Sequence, residues 1–313
     1  MRQSHRTIAN GPLAWRISLV GVVVTIIVVL AANAIWVDYR TRPAAPRDGG
    51  NIIDTGVEPA NVKVEGHGPA ILLLHGFGAA INWWDKIVPV LASQHRVIRV
   101  DLIGHGGTAA PVAGYAITRQ AQLAASLLDK LGVDHVTVIG HSMGGEVAVA
   151  LAEINPKRID HMILIDSPPT ADTTFTTTTR IYLMPIVGEM LSHFESDEAV
   201  RKGLAQGFAP HFLVPESFVT DVKQLTYHAF RRAHNESIAY RTAKPPYQRL
   251  ASIALSFHLL VIFGSLDAIV PPEQAKLFEG VLGAKVATIE GVGHSPMVEA
   301  PVETAKLIED FLK

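Results

Sequence analysis

The run Gly140-His141-Ser142-Met143-Gly144-Gly145 constrains this chain more than any other part of it. It follows an apolar stretch at 136–139 and precedes a helical one at 146–153, so it reads as strand, tight turn and helix with a serine at the tip. Such a turn forces the serine backbone into a strained conformation, and the small residues at 140, 144 and 145 let strand and helix pass without side-chain clash. The hydroxyl is then held out into a cleft. A G-x-S-x-G run is a weak sign by itself, so its surroundings carry the argument.

Those surroundings alternate. Short β-rich runs and amphipathic helical stretches follow one another at 70–74, 83–91, 97–100, 117–131, 136–139, 146–153 and 161–165, which predicts βαβ units and a mostly parallel sheet. After Pro169 the rhythm stops: the polar tract 173–179 leads into helix-like pieces at 181–194, 199–207 and 217–232 without a convincing strand. Alternation resumes at 258–263, 272–282, 285–289 and 302–312. The pattern predicts an α/β core with a helical insertion over 170–250.

A serine hydroxyl is a poor nucleophile at neutral pH and needs a neighbouring base, itself oriented by an acid. Among 14 histidines, His294 is the candidate base, because Gly291-Val292-Gly293-His294-Ser295-Pro296 forms a loop directly after the last apolar strand. Asp267 is the candidate acid, in a loop just past the strand at 258–263, with Asp166 after the preceding strand as the competing choice. The oxyanion formed on attack needs backbone N–H donors. Met143, which follows the serine, supplies one; His75-Gly76-Phe77-Gly78, after an earlier strand, supplies the other through Phe77.

With these motifs in the order Ser, Asp, His, together with the Asp101-Leu102-Ile103-Gly104-His105-Gly106 loop, the chain resembles the α/β-hydrolase superfamily over residues 58–313. The resemblance implies an eight-stranded, mostly parallel sheet flanked by helices, with 59–169 and 251–313 as core and 170–250 as lid or cap. It also implies a serine esterase or lipase-like activity. Ser142, His294 and Asp267 would form the triad, Phe77 and Met143 the oxyanion hole, and Asp101 and His105 would serve structure. An ester with an apolar acyl chain is the expected substrate, and no metal or organic cofactor is implied. Two other readings stay open: carbon–carbon bond hydrolysis of ring-cleavage products, and a non-catalytic ligand receptor on the same fold. The lid stripe Ile181, Met184, Ile186, Val187 and Met190 is expected to pack over the cleft.

Composition removes several classes. A formal charge of −2 without a basic run longer than a pair excludes the electrostatic footprint of nucleic-acid binding, and zero cysteines exclude disulfides and thiol chemistry. The N-terminal region is a separate object. After a basic tail at 1–16, residues 17–37 carry no charge and could cross about 30 Å of hydrocarbon as a helix. Trp15 and Trp36 sit at its ends, where amphipathic rings favour the interface. The expectation is a single-pass transmembrane helix or signal anchor, a linker over 38–58 and an extracytoplasmic domain, similar to membrane-bound monoacylglycerol-lipase-like members. The alternative is secretion after signal-peptide cleavage near Ala34.

Overall fold

A computed structural model describes residues 12–38, 41–171, 181–253 and 257–313, the side chains of 12–18, 34 and 37–38 excepted. The polar tract 173–179 lies outside the described residues. One eight-stranded sheet runs in the order β1-β2-β4-β3-β5-β6-β7-β8. Its strands are β1 (Asn51–Asp54), β2 (Pro59–Glu65), β3 (Ala70–Leu74), β4 (Arg96–Val100), β5 (Val136–His141), β6 (Ile159–Ile165), β7 (His258–Gly264) and β8 (Ala284–Ile289). β2 pairs antiparallel with β1 and β4, and every other pairing is parallel.

The central strands are covered on both faces, which is why they read as continuous apolar runs rather than alternating ones. Leu72, Leu74 and Val138 point into one buried cluster, whereas Ile71, Leu73 and Ile139 point into the other. Helices flank the sheet or pack on one another: α1 (Pro12–Asp38), α2 (Val88–Leu91), α3 (Ile117–Lys130), α4 (Met143–Ile154), α5 (Pro185–Ser192), α6 (Asp197–Ala205), α7 (Glu216–Gln224), α8 (Tyr227–Ala243), α9 (Pro246–Ser252), α10 (Lys276–Glu279), α11 (Pro296–Glu299) and α12 (Pro301–Leu312). Helices α5 to α9 all fall between β6 and β7, where the strand rhythm of the sequence stops.

Three expectations change. The stretch 38–58 is more than a linker: it supplies β1, Arg42 pairs its backbone with Ala110, and Arg47 forms an ion pair with the buried Asp221 of α7. Pro and Gly break apolar periodicity there without preventing these backbone and charge pairings.

The transmembrane span over 17–37 is not supplied either. Among the described residues no helix is long and apolar enough to cross a membrane. Residues 17–37 do lie within α1, but side chains are described without a break only over 19–33. The far half of α1 instead lies against the protein, with Asn33 Nδ2 donating to Glu189 Oε1 of α5 at 3.2 Å.

The expected stripe, which runs from Ile181 into α5 as far as Met190, does not cover the cleft; Met190 is half-buried. Ile181, Met184, Ile186 and Val187 are exposed, because the inner side of α5 is taken by Gly188 and Glu189 packed toward α1 and α8.

Candidate active site

Ser142 joins the end of β5 to the start of α4 at φ 50° and ψ −120°. A non-glycine residue there is strained, at a cost of roughly 1–3 kcal/mol, so the surroundings must hold it. They do so by close packing. A Cβ on Gly144 would sit 2.1 Å from the Leu74 carbonyl oxygen, and one on Gly145 would sit 2.3 Å from Ser167 Oγ. The Ser142 N–H donates to Ile165 O at 2.9 Å, tying the turn to β6. Met143 opens α4, where the first N–H groups of a helix have no partner within it.

His294 lies in the loop after β8. Its Nδ1 is 2.7 Å from Asp267 Oδ2, and Asp267 Oδ1 accepts the N–H groups of Ile269 and Val270 at 2.7 and 3.0 Å. Burial pushes the Asp267 carboxyl up, but the His294 charge and hydrogen bond, with those N–H donors, bring it below its ordinary value. Asp166, the competing acid, stands beside Asp267. Its own burial and the Asp267 charge hold it well above the ordinary carboxylate value, and its Oδ1 accepts the Gly264 N–H at 2.9 Å. The two carboxyls are therefore pushed apart: Asp267, facing histidine, is held below the ordinary carboxylate value and Asp166 well above it. Asp166, Asp267 and His294 lie close enough to hold a cation. Within that cluster the His294 Nδ1 is already engaged by Asp267 at 2.7 Å, and Asp166 Oδ1 by the Gly264 N–H.

Ser142 and His294 open into one cavity of about 250 Å³, which Phe77 and Met143 also line. Trp83, Leu204, Phe208, Ile269 and Val270 give it an apolar wall. The structure thus brings together all five residues expected at the site. Trp84 is fully buried in the core, whereas Trp83 reaches the cavity and stacks on Phe218 with ring centres 4.0 Å apart.

Asp101 and His105 are kept from the chemistry. Asp101 accepts from the Ile81 and Gly107 N–H groups and from Asn61, and burial raises it to about 6. Burial lowers His105 to about 3. His141, beside the serine, is also kept neutral by burial, at about 3, so its Nε2–H donates to the His294 carbonyl at 2.7 Å. That bond holds the histidine loop against β5.

Two features escaped the sequence. Glu299 Oε2 accepts the N–H groups of Ala209 and Gly293, and its Oε1 accepts that of Ser295. Together with the His294 N–H donated to Gly207 O at 2.8 Å, this fastens the histidine loop to the segment after α6. Glu146, one turn along α4 from Ser142, is fully buried and lines the cavity. Its Oε1 meets Ser237 Oγ at 2.9 Å and Arg241 Nε at 3.1 Å, both from α8. Burial lifts its carboxyl to about 7, against the downward pull of Arg241. A lone acid in the otherwise apolar run 143–152 was the available signal for a buried, partnered charge.

This fold and site define a protein of the α/β-hydrolase class. The chain belongs to the alpha/beta hydrolase fold family, whose model matches residues 69–301. It is 26% identical over 264 residues to an uncharacterized protein of Mycobacterium tuberculosis, covering 80% of this chain and 77% of that one. It is 25% identical to the 2-hydroxymuconate semialdehyde hydrolase of Pseudomonas sp. (strain CF600), over 86% of this chain and 95% of the other. A thermophilic esterase from Thermogutta terrifontis superposes with a TM-score of 0.67 at 24% identity, over 82% of this chain and 93% of its own.

Proposed function

We propose that this protein is a serine hydrolase of carboxylic esters. The observation that carries the reading is the shared cavity of Ser142, at its strained turn, and His294, whose far ring nitrogen is held by the ionised Asp267. With Nδ1–H donated to Asp267, the other nitrogen, Nε2, is left as the acceptor for the serine proton. Ser142 Oγ attacks the ester carbonyl and His294 takes its proton. The N–H groups of Phe77 and Met143 receive the oxyanion. His294 then returns the proton to the departing alcohol, leaving an acyl group on Ser142, and water releases it by the same steps in reverse.

The helices between β6 and β7 act as the lid in this reading, since Leu204, Phe208 and Ser237 from that segment line the cavity. Its mostly apolar wall favours an uncharged substrate. For localisation we carry forward an extracytoplasmic domain, held at a membrane or released after cleavage near Ala34. Supporting it are the uncharged run 17–37 and the exposed Val20, Ile27 and Val29 of α1. Fractionation of cells into membrane, periplasmic and cytoplasmic pools tests it.

The direct assay is labelling by a fluorophosphonate and turnover of short and medium 4-nitrophenyl esters, with Ser142→Ala as control. Serine-dependent labelling and turnover are expected; equal hydrolysis by Ser142→Ala overturns the reading. A second reading, carbon–carbon bond hydrolysis, is favoured by the likeness to the 2-hydroxymuconate semialdehyde hydrolase. Serine labelling without ester turnover, joined to cleavage of a ring-fission dienone, would select it. Saturable ester binding without labelling would select the receptor reading.

A further inference from the structure

Away from Ser142 and the histidine loop, the polar part of the cavity wall is His234 with the cluster of Glu146, Ser237 and Arg241. There Glu146 Oε1 is shared by Ser237 and Arg241, while Glu146 Oε2 is buried and has no hydrogen-bond partner among the described residues. A carboxylate oxygen kept from both water and protein donors loses about 1–3 kcal/mol or more, so such an atom on a cavity wall asks for a donor from whatever fills the cavity. Arg241 neutralises the charge, and its Nη1 donates to Thr170 O at 3.0 Å, so the guanidinium is already engaged on two sides. Arg241 Nε, though 3.1 Å from Oε1, makes no hydrogen bond of good geometry, so among the described residues the cluster holds one unpaired donor on α8 and one unpaired acceptor, Oε2, on α4. Its distance from the chemistry is set by α4: Glu146 lies four positions on from Ser142, about 6 Å along the helix axis.

We propose that Glu146 is a specificity-determining residue that binds a hydrogen-bond donor of the substrate, a hydroxyl or an amide N–H a few bonds from the scissile carbonyl. The preferred substrates are then polar-tipped esters rather than plain alkyl ones. The inference rests on the ester-hydrolase reading above and names the substrate class of that same site. Glu146 acts as acceptor in its ionised form, so the effect is read at pH 8, above the value of about 7 to which burial raises it.

The test compares matched methyl and alkyl esters by pH-stat on the full chain. Methyl 3-hydroxybutanoate is set against methyl 3-methylbutanoate, and 2-hydroxyethyl butanoate against propyl butanoate, so a donor is offered on either side of the ester. In the wild type at least one donor ester should exceed its partner in kcat/KM by about tenfold or more. In Glu146→Met, which keeps an unbranched chain of similar length without an acceptor, the ratio should fall to near one. Where the lone Arg241 prevents that variant from folding, Glu146→Met/Arg241→Met removes both charges together and is read in the same way.

Ratios near one in the wild type, or a preference that survives in the variant, overturn the proposal. A preference for methyl hydrogen succinate over every neutral ester also overturns it, because Arg241 would then be the recognising group. Should no ester be hydrolysed, calorimetric titration of Ser142→Ala with the same pairs decides the binding preference independently of turnover: tighter binding of a donor ester supports the subsite, and equal binding refutes it.

Discussion

Asp267 Oδ2 stands 2.7 Å from His294 Nδ1, and the same carboxylate has beside it Asp166, which burial and the Asp267 charge hold well above the ordinary carboxylate value. The two acids are therefore not interchangeable. Asp267→Asn should lower kcat by a factor on the order of 10³ to 10⁴, because an amide can no longer hold the imidazole in the tautomer that leaves Nε2 free. Asp166→Asn keeps an acceptor for the Gly264 N–H and leaves the Asp267–His294 pair in place, so it should cost less than tenfold. Steady-state kinetics on one ester, with circular dichroism to confirm folding, checks both. Equal losses would mean that the acid role is shared.

Gly144 of the serine turn and Gly203 of α6 differ sharply in the room around them. A Cβ at Gly144 meets the Leu74 and His75 carbonyl oxygens at 2.1 and 2.6 Å, and neither backbone atom can move without disturbing β3. At Gly203, in α6, nothing lies within 4 Å. Gly144→Ala should destabilise by several kcal/mol or fail to fold. Gly203→Ala should hold or raise stability by up to about 1 kcal/mol, the gain in helix propensity. Urea unfolding of the two variants measures the contrast, and similar behaviour would refute the packing account.

The sequence made the site legible where chemistry is tied to local chain order. The turn at Ser142 and the loops carrying Asp267 and His294 each follow an apolar strand, so their positions could be read one at a time. Asp166 also follows an apolar strand, so chain order ranked it behind Asp267 without excluding it. What could not be read is what arises between distant segments. Glu146 meets Ser237 and Arg241 across roughly ninety residues of chain, and Glu299 reaches Ala209 across a similar gap. No periodicity encodes such pairings. The apolar stripe near α5 misled for a related reason: helical spacing shows that a face is apolar, not which neighbour receives it, and those side chains point outward.

Glu299 acts at one remove from the chemistry. Its two oxygens accept three N–H groups, from Gly293 and Ser295 on either side of His294 and from Ala209 beyond α6. Glu299→Ala frees the histidine loop from that clamp, and a misplacement of about 1 Å can cost on the order of 10²-fold in rate. The loss should fall on kcat with KM little changed, and Glu299→Gln, which keeps an acceptor, should recover part of it. A loss confined to stability, with kcat of the folded fraction intact, would remove the positioning role.

His105 offers a clean pH measurement. It is fully buried, its Nδ1 lies 3.2 Å from the Ile103 carbonyl oxygen, and burial first, then the neighbouring His75, lowers it from 6.5 to about 3. Between those values the unfolded chain binds a proton that the folded chain refuses, so acid favours unfolding. Its contribution is fully present above pH 6.5 and is lost as pH falls toward 3. Asp101 and Glu146, raised to about 6 and about 7 by burial, act in the opposite sense over part of this range, so the wild-type curve alone mixes both effects. His105→Gln keeps those acids and removes the imidazole. The stability difference between wild type and variant should therefore shrink on acidification below pH 6.5, by up to about 1.4 kcal/mol per pH unit, and be flat above it. Urea unfolding at pH 8, 6.5, 5 and 4 measures this, and parallel curves for the two proteins would show that His105 takes up its proton in the fold.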